Sequence, residues 1–117
     1  MKSPLRVVNR TRQAILVEEG AIASNLWTRL VGLMGRRTLP RGTGLLLKGE
    51  QAIHTFGMFI PIDVLYLDAE QRVVRAVNSM RPSRVGPLVR KARDVLELPA
   101  GTLLATGTRE GDQLVFE

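Results

Sequence analysis

The stretch Ile62-Asp63-Val64-Leu65-Tyr66-Leu67 is continuously apolar except for one carboxylate, where a half-exposed strand would alternate. A strand of this kind has both faces covered, so the rest of the chain must cover two sides of a sheet. Most of what surrounds it also reads as strand. Residues 5–9 and 14–18 form two apolar-rich runs around an Asn9-Arg10-Thr11-Arg12 turn, and Ala21-Ile22-Ala23 extends the sheet after Gly20. Residues 44–48 make a short apolar strand, and residues 52–55 are a further candidate. Asp68-Ala69-Glu70-Gln71 turns the chain into a strand over residues 72–78. Pro82, Gly86 and Pro87 mark a long loop over about residues 79–91. Residues 94–98 are a strand, and Pro99 opens a helical turn through Thr102-Leu103-Leu104-Ala105 that Gly107 ends. Gly111-Asp112 then leads into a last strand over residues 113–116.

One longer helix interrupts this pattern. Ser24 is a good N-cap, Leu26, Trp27, Leu30, Val31, Leu33 and Met34 recur at helical spacing, and Gly35 is a natural stop. A helix is therefore expected over about residues 24–35. About seven short strands, one helix and no strand–helix alternation predict a mainly β protein, a β-sandwich or partly open barrel. Its 117 residues suit a single domain spanning the chain, with no repeat or low-complexity tract.

The chain has no cysteine, which excludes disulfides, thiolate metal sites and a cysteine nucleophile. The first residues lack the apolar core of a signal peptide and no window has the length of a spanning helix, so a cytoplasmic location is expected unless a leader precedes this chain. Charge is lopsided, at +6. No acid occurs between Ala21 and Gly49 or between Gln71 and Arg93, and the second stretch carries Arg72, Arg75, Arg81, Arg84, Arg90, Lys91 and Arg93. Arginine's planar fork suits phosphate and carboxylate. An anionic ligand is one reading, nucleic acid another and a merely solvated basic surface a third. Only five aromatic residues are present and none alternates with arginine as a stacking platform, which argues against nucleic acid.

The densest chemistry lies in Ile53-His54-Thr55-Phe56-Gly57-Met58-Phe59-Ile60-Pro61-Ile62-Asp63, which holds the only histidine. His54 can act as acid–base or ligand anchor, or simply lock a turn through Thr55. Asp63 at a strand entrance needs a partner. Arg36 is the preferred one, in a pair that either orients an anion or pins the helix to the sheet. Glu97 is expected to face solvent by strand alternation, the alternative being a cleft with His54 or an arginine. Metal binding is disfavoured with a single histidine, no Gly-x-Ser-x-Gly elbow accompanies Ser24, Ser79 or Ser83, and no cofactor motif is present. Trp27, Met34, Met58 and Phe59 are read first as core.

The pieces Arg29-Leu30-Val31-Gly32-Leu33-Met34-Gly35-Arg36, Ile53-His54-Thr55-Phe56-Gly57-Met58, Pro61-Ile62-Asp63-Val64 with Leu67-Asp68, Val95-Leu96-Glu97-Leu98-Pro99-Ala100-Gly101, and Gly111-Asp112 occur in an order that resembles the domain-of-unknown-function family one-nine-two. The resemblance covers about residues 14–116. It implies a β-rich, sandwich-like fold and supplies no reaction. Relatives of this subtype often carry a cysteine where this chain has Glu50, so a thiol-dependent role does not carry over. The expectation is a non-catalytic module recognising a small anionic or polar ligand near the 53–63 segment. His54, Thr55, Met58 and Asp63 would floor the pocket, with Arg36 as charge partner and Glu97 in reserve. A hydrolase using His54 and Asp63 is the enzymatic alternative.

Overall fold

The computed structural model describes residues 2–23, 39–55 and 58–117. The helix expected over residues 24–35, with Trp27, Met34 and Arg36, lies outside the described residues. Within them the elements are β1 (Lys2–Asn9), β2 (Ala14–Ala23), β3 (Leu45–Lys48), β4 (Ile62–Leu67), β5 (Val73–Met80), β6 (Asp94–Pro99), α1 (Thr102–Thr106) and β7 (Leu114–Phe116). The strands form one seven-stranded sheet in the order β5-β4-β6-β3-β2-β1-β7. Among the described residues only β2 and β3 pair in parallel. A single curled sheet is the half-barrel form of the expected mainly β architecture, rather than two stacked sheets.

The two end strands meet at one point. An isolated bridge links Arg72 to Gln113, the Val73 N–H donates to the Asp112 carbonyl at 2.9 Å, and Gly111 N–H to the Val73 carbonyl at 2.8 Å. Past Val73 the register of β5 on β4 shifts twice, each time with the extra residue on β5. Such bulges bend an edge strand and blunt it against further pairing.

Every residue of β4 is buried, as the continuous apolar run requires. Alternation divides the run between two cores. Leu65 and Leu67 join Leu96 and Leu98 of β6, with Leu5, Val7, Leu16, Val17, Leu46 and Leu114, inside the curl, and Leu103 of α1 packs with them. Ile62, Val64 and Tyr66 join Val95, Leu45 and Leu47 on the outer face, beneath Ile53, Met58, Met80 and Ala92. Each large aliphatic side chain buried this way contributes about 1.5–3 kcal/mol.

The outer cover is a loop ribbon. Residues 51–55 run antiparallel to residues 84–89, joined by Thr55 N–H to the Arg84 carbonyl, Gly86 N–H to the Ile53 carbonyl and Val89 N–H to the Gln51 carbonyl, each at 2.8 Å. The candidate strand over residues 52–55 is thus a single bridge, His54 to Val85. The short helix is close to expectation: α1 follows Gly101, and Gly107 closes it at φ 72°. Pro99 ends β6 instead of opening the turn. β2 absorbs the proposed extension in one ten-residue strand.

Gly86 is where the ribbon comes closest to the sheet. A Cβ there would stand 2.8 Å from the Tyr66 hydroxyl and 3.0 Å from the Met80 methyl. That hydroxyl donates to the Pro87 carbonyl at 2.8 Å. Gly86→Ala is expected to cost about 1–3 kcal/mol through overpacking. Urea denaturation compared with wild type measures it, and an unchanged midpoint contradicts the tight approach.

Candidate functional site

Thr55 organises the ribbon. It is fully buried, and its hydroxyl donates to the Arg81 carbonyl at 2.6 Å while accepting from the Arg84 N–H at 2.8 Å. Its carbonyl accepts the Ser83 N–H at 3.1 Å. Ser83 has φ 59°, a left-handed conformation that a non-glycine residue holds only where its surroundings enforce it. The turn over residues 81–84 is therefore fixed by one buried threonine, and both Arg81 and Arg84 are exposed on it.

His54 is half-buried between buried Ile53 and Thr55. Met58 is buried in the outer core and Phe59 is 57% exposed. The expected pocket floor is thus divided: Thr55 and Met58 hold the ribbon on the sheet, and His54 alone of that trio has surface. Arg36, the expected charge partner, lies outside the described residues.

Asp63 is fully buried on the opposite side of the sheet. It alternates with Val64, whose side chain belongs to the outer core, and lies with Leu65 toward the inner one. One carboxylate oxygen accepts the Ser79 N–H at 2.8 Å. The other accepts the Gly101 N–H at 3.1 Å and the Leu103 N–H at 2.9 Å. Gly101 provides no side chain to cap α1, so Asp63 caps the helix from a distant strand. It also holds Ser79, at φ 51°, in the second bulge of β5. The structure does not bring His54 and Asp63 together, and their geometry is not that of an acid–base pair with its orienter.

Glu97 corrects the expectation of a solvent-facing side chain: it is 0% exposed. The physical reason is sheet order. β6 lies between β4 and β3, with Glu97 opposite Val64 and Leu45, and both faces of these strands are covered. Its side is that of Val95 and Tyr66, the outer core beneath the ribbon. Burial pushes the Tyr66 hydroxyl above the usual phenol range; Arg75 opposes this and the Glu97 charge adds to it. Among the described residues no group of three His, Asp or Glu side chains is placed to hold a metal ion.

A second polar cluster joins residues that the sequence shows as turn and family-motif positions rather than as a candidate site. The buried Asn9 amide donates to the Thr108 hydroxyl at 2.9 Å and to Asp112 at 3.0 Å. Arg12 grips the same carboxylate with Nε at 2.9 Å and Nη2 at 3.1 Å. The Arg109 N–H adds a further bond at 3.1 Å. These residues tie the β1–β2 turn to the loop before β7, where the curl closes. Sequence shows Asn9 and Asp112 only as turn residues, because the bond between them spans almost the whole chain.

The family model DUF192, described as Uncharacterized ACR, matches residues 7–116. UPF0127 proteins of Pyrococcus horikoshii and Pyrococcus abyssi are each 30% identical over 115 residues, covering 92% of this chain and 96% and 94% of theirs. Two solved structures are similar throughout. One, of unknown function from Novosphingobium aromaticivorans, has a TM-score of 0.80 at 20% identity over 96% of this chain and 83% of its own. The other, from Sinorhizobium meliloti, is described as a candidate transcription regulator; it has a TM-score of 0.79 at 26% identity over 99% of this chain and 94% of its own.

The Asp112 cluster sets an acid limit on stability. Burial pushes its carboxyl up, but hydrogen bonds from Arg12, Asn9 and the Arg109 N–H, with the Arg12 charge, outweigh this and hold it below its ordinary value. A depressed folded value means the stabilisation is fully present above the unfolded carboxylate range, about pH 4, and is lost as pH falls through the folded value. Asp112→Asn is expected to be less stable at neutral pH and to lose less stability on acidification. Denaturant midpoints between neutral and acid pH check both signs; parallel curves for the two proteins refute the assignment.

Proposed function

The chain belongs to the DUF192 family, which carries no assigned reaction, and from that premise we propose that it is a non-catalytic module binding a small anionic ligand on the outer ribbon. The contacts are His54, Arg81 and Arg84. The observation that carries this reading is the Thr55 clasp, which fixes the backbone under both arginines before any ligand arrives. Prior ordering lowers the entropy lost on binding. Neither arginine forms an ion pair among the described residues, and no acid occurs between Gln71 and Arg93. Guanidinium forks and an imidazole are groups that suit a phosphate or a carboxylate. The commitment of Asp63 to three backbone N–H groups supports binding over hydrolysis.

Inorganic phosphate and a panel of small carboxylates, titrated by calorimetry, test the reading. Replacing His54, Arg81 or Arg84 by alanine is expected to weaken binding roughly tenfold, the value of a charge-assisted hydrogen bond. Equal anion binding by wild type and by the Arg81→Ala, Arg84→Ala double variant rules the site out.

A second reading, nucleic-acid association, is favoured by the exposed positions of Arg72, Arg75, Arg81, Arg84, Arg90, Lys91 and Arg93 and by the description of the Sinorhizobium meliloti protein. It requires binding that falls steeply with salt, by about one power of salt concentration per phosphate contacted. A fluorescent duplex that stays unbound at low salt ends this alternative.

A further inference from the structure

Val115, Val8 and Ile15 stand side by side across β7, β1 and β2, because Val8 is paired with Val115 on one side and with Ile15 on the other. Directly paired residues share a face. At strand spacing the three branched side chains make an apolar row about 10 Å long. The row is outside the curl: Ile15 is 44% exposed, and Val8 and Val115 are half-buried. It floors an open groove of about 570 Å³ lined also by Arg6, Arg10, Gln13 and Glu117.

The rim decides what such a floor can take. Arg6 is paired with Glu117 at 3.0 Å. Arg10 is exposed, and among the described residues its side chain forms no ion pair, while its backbone N–H is held by the Gln113 carbonyl at 2.9 Å. The groove therefore offers an aliphatic bed with one unneutralised cation at its edge. A second copy laid face to face about a twofold axis would bring the same arginines together, which charge repulsion opposes.

We propose that this groove binds a small amphipathic anion, with its apolar body on Val115, Val8 and Ile15 and its carboxylate or sulfonate at Arg10. The site is separate from the His54 ribbon and does not depend on it. A flat aryl or a short acyl body satisfies the same chemistry, and two probes distinguish them: 1-anilinonaphthalene-8-sulfonate and octanoate.

Binding is read by anilinonaphthalene fluorescence and by amide chemical-shift changes with either probe. The expected result is a shift pattern centred on Val8, Ile15 and Val115, with affinity lowered about fivefold by Arg10→Ala, as for a partly exposed charge contact. Val8→Thr, which keeps the branched shape but adds a hydroxyl, is expected to weaken binding as well, whereas Arg84→Ala leaves it unchanged. Melting temperatures equal to wild type confirm that the surface variants fold. Equal binding by Arg10→Ala and wild type, shifts centred on the ribbon, or no binding of either probe at millimolar concentration overturns the proposal.

Discussion

The structure depends on burying both faces of the β4–β6 pair. Adjacent strands whose residues are nearly all inaccessible require a hydrophobic layer above and another below, and a chain of this size has few elements with which to make them. The sheet supplies the inner layer by curling upon itself, so that Leu65, Leu67, Leu96 and Leu98 meet Leu5, Val7, Leu16 and Leu114 across the interior. The outer layer comes from irregular chain, in which Ile53, Met58 and Ala92 rest on Val64, Tyr66 and Val95. Irregular chain has no ladder to satisfy its backbone groups. This explains the concentration of hydrogen bonds around Thr55 and the 51–55 and 84–89 pairing.

Asp63 and Thr55 do corresponding work on opposite sides. Each is a buried polar side chain satisfied mainly by main-chain groups of distant segments, Asp63 by Ser79, Gly101 and Leu103 and Thr55 by Arg81 and Arg84. A carboxylate accepting three N–H bonds has its oxygens satisfied without a cationic neighbour, so no arginine is needed to explain its burial. The Asp112 cluster uses the other solution, a bidentate guanidinium.

Most strands were legible because apolar runs and Gly, Pro or Asp turns are local signals. The both-face burial of β4 could be read from its lack of alternation, and the αL closure of α1 from Gly107. The site was less legible. Alternation alone sends Glu97 to solvent, since nothing local reveals that β3 and β4 flank β6. Asp63 could be seen to need a partner, but backbone N–H groups from Gly101 and Leu103 leave no trace in side-chain identity. His54 stands out in the sequence as the lone histidine, whereas its relation to Val85 depends on a loop return that composition does not encode.

The sheet's connectivity also bears on how the protein reaches its native state. β1 and β2 meet through a tight turn, and β4 and β5 do the same, so these two hairpins can form early from local encounters. β3 joins them by pairing in parallel with β2 and antiparallel with β6, strands far from it in opposite directions along the chain. Loop-closure entropy must be overcome before those contacts return any energy. The middle of the sheet, its most completely buried part, thus assembles from strands that do not meet through a tight turn.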